Sequence, residues 1–170
     1  MNDLMTERRE GASLAELFSA HYLGMVRLAG LLGADDPEDI AQEAFARLHA
    51  RRSLLRDDRA ALAYVRSIIC NQTRNRLRHL RLARLRRGDP PPDAASSEHH
   101  VLVAERHREL LAALERLPRR QREALVLRYW LELSEQEIAD AMGISPGSVK
   151  THASRGMAAL SKALKEDHDA

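Results

Sequence analysis

The chain has 170 residues, 31% of them charged and only 4% aromatic, with a formal net charge of +2. Such a length suits one medium domain or two small ones, and few aromatics beside abundant Leu, Ala, Arg and Glu argue against sheets; the expectation is an all-α fold of two small helical domains joined by a flexible linker. One cysteine excludes an internal disulfide, no apolar run approaches the ~18 residues needed to span a bilayer, and the N-terminus lacks a signal peptide's apolar core, so a cytoplasmic protein without membrane insertion is expected.

In chain order, Leu14 to Leu32 carries apolar residues at helical spacing and is closed by Gly33. A second helix is predicted from Glu38, after Pro37, to about Arg51, with Ile40, Ala44, Phe45 and Leu48 on one side and Asp39, Gln42, Glu43 and Arg47 on the other. A third runs on from about Ala60, where Leu62, Val65, Ile68, Ile69, Leu77, Leu80 and Leu85 keep a core-facing pattern. Cys70 lies beside Ile68 and Ile69, the setting of a buried structural thiol. Three prolines and small polar residues over Gly88 to Ser97 forbid a continuous helix. The domains are therefore placed at 1–87 and 105–170, with 88–104 as the linker. Beyond it, Val101 to Leu117 reads as an amphipathic helix ending at Pro118, and Arg119 to about Trp130 as another.

The most specific motif follows. Ser134 can cap a short helix, with Glu137 three residues on completing a capping box and Ile138, Ala139 and Met142 pointing inward. Gly143 supplies the left-handed residue where the chain reverses, Ser145 and Pro146 restart a helix, and Val149 returns to the core. This is a helix-turn-helix. Ser148, Lys150, Thr151, Ser154 and Arg155 form the outer face of its second helix, able to reach phosphates and base edges in a major groove.

Charge is segregated along the chain. Arg59 to Gly88 contains no acid, which is too lopsided for i,i+4 salt-bridge decoration and suits phosphate binding, with Asn71, Gln72, Thr73 and Asn75 as neutral groups able to read bases. Asp35 to Glu43 is purely acidic among its charges and would repel DNA. Its carboxylates serve the helix dipole in part, but five exceed that need and ask for a basic protein partner. His99 and His100 are adjacent and lack nearby cysteine ligands, so neither a metal nor another cofactor is expected. No phosphate loop, nucleophile elbow or paired catalytic carboxylates occur, and an enzyme is not expected.

Taken together, these segments resemble the bacterial alternative sigma factors of the extracytoplasmic-function group, over roughly Leu14 to Leu164. Asp36 to Leu48 is similar to the helix with which that family docks on the clamp helices of RNA polymerase, which implies polymerase contacts at Asp36, Asp39, Ile40, Gln42, Glu43 and Phe45. Ala63 to Asn75 is similar to the family's element for reading and melting the minus-ten promoter region. The resemblance implies that Asn71 contacts a flipped non-template base beside a pocket formed in part by Leu55, with Tyr64, Arg66, Arg74, Asn75 and Arg78 as further DNA contacts. Tyr64 stands where the family commonly has Trp, and Leu55 where it has an aromatic. The helix-turn-helix looks like the minus-thirty-five reader, which implies contacts from Lys150, Thr151, Ser154 and Arg155, with Ser145 and Ser148 toward phosphates. Partners implied are core RNA polymerase, through the clamp helices and the flap of its large subunits, promoter DNA and an anti-sigma factor.

Physical magnitudes agree with needing so large a partner. Opening DNA costs about 1.4 kcal/mol per base-pair step, and capture of one flipped base offsets only a few kcal/mol. Extended, the linker reaches at most about 60 Å, enough to span two promoter elements roughly 50 Å apart. Two other readings compete: a helix-turn-helix regulator that is no polymerase subunit, its acidic helix merely structural, and an interaction module held by an anti-sigma protein.

Overall fold

The computed structural model describes residues 11–55, 57–90 and 105–168. Among them the secondary structure is helical, with no strand. Helix α1 (Leu14–Leu31) starts at a capping box in which the Ser13 hydroxyl accepts from Glu16 N at 3.2 Å and the Glu16 carboxylate accepts from Ser13 N. Gly33, at φ +96°, turns the chain into α2 (Pro37–Arg51), where Asp36 caps and Pro37 takes the first helical position. A 3₁₀ turn over Arg52–Leu54 leads to α3 (Asp58–Arg87), capped by Asp57 and closed by Gly88 in the left-handed conformation. Asp58 ties the start of α3 to the start of α1, accepting from Ala12 N at 3.0 Å and from Arg52 at 2.8 Å. The Arg52 bond holds its carboxyl below the usual range.

These three helices enclose Leu17, Met25, Leu28, Leu32, Ile40, Phe45, Leu48, Val65 and Ile69. An aromatic group of Phe18, Tyr22 and Phe45 closes one side of α1 and α2, with ring centroids 4.5 Å and 5.2 Å from Phe18.

The second half comprises α4 (Glu105–Arg116), α5 (Arg119–Leu125), α6 (Glu135–Met142) and α7 (Pro146–His168). Pro118 separates α4 from α5 as its sequence requires. The helix expected to run from Arg119 to Trp130 is regular only as far as Leu125; Val126–Trp130 widens into a π-helical turn, and Leu131 N reaches back five residues to Val126 O at 3.4 Å. Glu132 then adopts φ +53° and the chain reverses into α6. α5 and α7 cross closely at Gly156, where a Cβ would lie 3.2 Å from both the Gln121 carbonyl oxygen and Leu125 Cδ1.

Residues 91–104, which hold most of the expected linker, the start of the helix predicted from Val101, and His99 and His100, lie outside the described residues. Among the described residues the N-terminal and C-terminal helices are packed together around one continuous buried cluster. α6 lies along α3, the start of α5 reaches it through Arg119 and Glu123, and Ile138, Ala139, Ala141 and Met142 join the same buried cluster as Ile68, Ile69 and Cys70.

Candidate nucleic-acid interface

The thirty residues of α3 present three faces. Ala61, Val65, Ile68 and Ile69 are buried on the N-terminal side of the core. A second stripe, Arg59, Ala63, Arg66, Cys70 and Arg74, advances in steps of three and four residues and meets the C-terminal half. A third, Tyr64, Asn71, Asn75 and Arg78, runs beside it and stays open, with Asn71, Asn75 and Arg78 exposed and Tyr64 half-buried against the core. Leu55 packs part-buried against the core where the 3₁₀ turn enters α3.

The residues expected to contact minus-ten DNA are thus divided between two stripes. The Arg74 guanidinium donates to both carboxylate oxygens of Glu123 at 3.2 and 3.3 Å, and to Asn71 Oδ1 at 3.2 Å. Arg66 is half-buried near Glu137, and burial lowers its guanidinium from the ordinary value. Neither arginine projects freely to solvent. Farther along α3, Arg81, Arg86 and Arg87 are exposed beside Leu82 and Leu85 and extend the basic surface.

On α2 the expected polymerase contacts also divide. Asp36, Asp39, Gln42 and Glu43 are exposed, whereas Ile40 and Phe45 are only 3% and 4% exposed. A direct contact from Ile40 or Phe45 is corrected here: both seat α2 on the core, because they fall on its apolar side. The acids are not all unpaired either. Arg76 of α3 lies 3.1 Å from Asp35 and 2.9 Å from Asp39, and Arg47 pairs with Glu43 at 2.7 Å. Part of the charge segregation read along the chain is therefore balanced across helices.

In the helix-turn-helix, Ser134 and Glu137 form the capping box, Gly143 takes φ +66°, and Val149 is fully buried. The Ser145 hydroxyl accepts from Ser148 N at 3.2 Å and bonds the Ser148 hydroxyl at 2.9 Å, so the two serines form the cap of α7. Lys150, Thr151, Ser154 and Arg155 are exposed on its outer side. Thr151 donates to Gly147 O at 3.2 Å, and the Lys150 ammonium is 3.8 Å from Glu135.

Two features escaped the sequence reading. One is the polar seam of Arg119, Arg120 and Glu123 against α3, whose partners stand far apart in the chain. The other is an open groove of about 390 Å³ between the π-helical turn and α7, lined by residues including Arg128, Tyr129, Lys150, Ser154 and Met157. Exposed Tyr129 and Trp130 beside it are the only sequence signal that could have marked it.

Comparison with known proteins gives this geometry its context. Residues 107–160 match the family model for sigma-70, region 4. The RNA polymerase sigma-E factor of Streptomyces coelicolor is 33% identical over 132 residues, covering 76% of this chain and 72% of that protein. The ECF RNA polymerase sigma factor SigM of Mycobacterium tuberculosis is 29% identical over 154 residues, covering 88% and 76%. The fold is similar to that of the sigma factor RpoE of Bartonella quintana in its complex with the anti-sigma factor NepR, with a TM-score of 0.73 at 21% identity over 87% of this chain and 94% of that one. An alignment of 132 residues cannot fit within helices α4 to α7, so the likeness extends well beyond a shared helix-turn-helix and removes the unrelated-regulator reading. The chain belongs to the extracytoplasmic-function family of bacterial RNA polymerase sigma factors and serves promoter-specific initiation of transcription.

Proposed function

We propose that the protein works in the cytoplasm as a subunit of RNA polymerase with no chemistry of its own, its N-terminal half docking on the enzyme and melting the minus-ten element while α7 anchors the minus-thirty-five element. The exposed side of α2, with Asp36, Asp39, Gln42 and Glu43, meets a basic surface on the polymerase clamp helices, and the C-terminal half meets the flap. Lys150, Thr151, Ser154 and Arg155 enter the major groove, with Ser145 and Ser148 toward phosphates. An anti-sigma protein holds the factor inactive, in keeping with a fold shared with a sigma factor solved in such a complex.

The observation that carries this reading is the open stripe of α3, where the neutral hydrogen-bonding side chains Asn71 and Asn75 stand exposed between Tyr64 and Arg78. Arginines alone set position on a backbone; amides beside an aromatic can read an unstacked base. Base capture acts only on melted DNA. Asn71→Ala should therefore reduce permanganate reactivity of the promoter bubble by about tenfold, the worth of one good base contact, and leave closed-complex binding by the polymerase holoenzyme nearly unchanged. Equal loss in both assays would remove Asn71 from base capture.

A further inference from the structure

The last turns of α3 carry a surface that the fold does not use. On one side Leu77, Leu80, Ala83 and Arg84 are half-buried. On the other, Leu82 and Leu85 are 45% and 67% exposed. They stand among arginines. At 3.6 residues per turn Arg81, Leu85, Arg78, Leu82 and Arg86 follow one another around about 140° of the helix circumference, so that each leucine lies between two guanidinium groups. Arg78, Arg81 and Arg86 are exposed, and among the described residues none of the three is in an ion pair; the pairs of this stretch belong to Arg76, with Asp35 and Asp39, and to Arg87, with Asp89.

This face continues the open stripe. Tyr64, Asn71, Asn75 and Arg78 are followed at the same helical spacing by Leu82 and Leu85. A ligand lying along the stripe therefore passes from amides that hydrogen-bond to a strip that offers apolar contact between positive charges. The chain sets its direction: α3 ends at Gly88 and leads on to the half that carries the minus-thirty-five reader, so Leu82 and Leu85 are on the upstream side of Asn71. At 1.5 Å per residue they lie about 17 and 21 Å beyond it, the length of about five to six base pairs at 3.4 Å each. That distance falls in the duplex between the two promoter elements, where bases are paired and stacked. Leucine has no group that reads the donor and acceptor pattern of base edges. What it does on a duplex is press into the minor groove against a base step, unstacking and kinking it, while neighbouring arginines hold the phosphates. The cost of such a kink depends on the step: a pyrimidine-purine step such as TA yields readily, whereas A-tracts are stiff.

We propose that the C-terminal arm of α3 lies over the minor groove of the promoter spacer, with Leu82 and Leu85 as an apolar wedge about five to six base pairs upstream of the base held by Asn71, and Arg78, Arg81 and Arg86 on the phosphates to either side. The chain then selects promoters by the deformability of the spacer as well as by the two elements. The proposal rests on the promoter-reading function above, and it adds a sequence preference at positions where no side chain hydrogen-bonds a base.

The experiment uses core polymerase with the full-length chain on a promoter taken from its own transcript starts. A TA step is moved one position at a time through an otherwise stiff spacer, and holoenzyme affinity is measured at several salt concentrations. Wild type should bind about tenfold more tightly when the step lies about five to six pairs upstream of the captured base than when it lies elsewhere. The double variant Leu82→Gln, Leu85→Gln exchanges two exposed leucines for a residue of similar helix propensity, so its circular dichroism and melting temperature should match wild type while the preference falls to within about twofold. Arg81→Gln and Arg86→Gln should instead weaken binding to every spacer alike, each reducing the salt slope by about 0.9. Wild type without a positional preference, or a leucine variant that keeps it, would overturn the wedge. So would a leucine variant that loses affinity for core polymerase or for phosphatidylglycerol vesicles while its spacer preference stands, since the face would then serve a protein or a membrane. The two readings fail separately: Asn71→Ala with undiminished permanganate reactivity removes base capture while a retained spacer preference upholds the wedge, and a chain that gives no new transcript start removes the promoter-reading function and the wedge with it.

Discussion

Individual residues carry roles that are hard to infer from type alone. Glu132 is the plainest case: a non-glycine residue at φ +53°, placed where the π-helical turn must reverse into α6. A side chain there costs about 1–2 kcal/mol relative to a residue without a Cβ. Glu132→Gly should accordingly raise the free energy of unfolding in urea by about 1 kcal/mol; an unchanged or lowered value would mean that the carboxylate makes a compensating contact. Gly33 shows the opposite economy. Its φ of +96° turns α1 into α2, and a Cβ there would run into the Arg122 guanidinium of α5, so its lack of a side chain serves both the turn and the seam.

At the scale of elements, what could be read from the sequence was what is local. Caps at Ser134 and Ser145, prolines at 37 and 146, and glycines at 33 and 143 act within one turn of their own position, and the helices they delimit appear where the pattern puts them. The start of α6 offers a direct check. Glu137 accepts from Ser134 N at 2.9 Å and faces Arg59, and the first of these bonds is the main reason its carboxyl lies below the ordinary value of 4.5. A depressed carboxyl stabilises the fold fully above its unfolded value and loses that contribution as pH falls through the folded one. Glu137→Gln should thus melt at a lower temperature than wild type near pH 6, and the gap should narrow as pH falls below 4.5. A gap of constant size would show that the carboxylate charge is not what the cap uses. The π-helical turn had no such local marker, because nothing within Val126–Trp130 differs from an ordinary helical stretch; its width is set by how α5, α6 and α7 pack. The α2 contacts were half legible for a related reason. Helical period separates apolar from polar sides, and it put Ile40 and Phe45 inside, but it cannot say that Asp39 meets Arg76 thirty-seven residues away.

For the whole molecule, composition was enough to anticipate an all-helical chain and the helix-turn-helix a DNA partner, since both are sums or short motifs, whereas promoter reading was implied only by the resemblance of Asp36 to Leu48 and Ala63 to Asn75 to sigma factors. The relative placement of the two halves was not legible. It depends on Arg74 meeting Glu123 across forty-nine residues of chain, and a run of arginines without acids looks the same whether it faces DNA or an internal carboxylate. The most direct test of the protein's role is to map transcript starts made by core RNA polymerase on a genomic DNA library, with and without this chain. New starts that appear only with the chain and share two upstream elements are the expected result. Core polymerase that binds the chain yet gains no new start would contradict it.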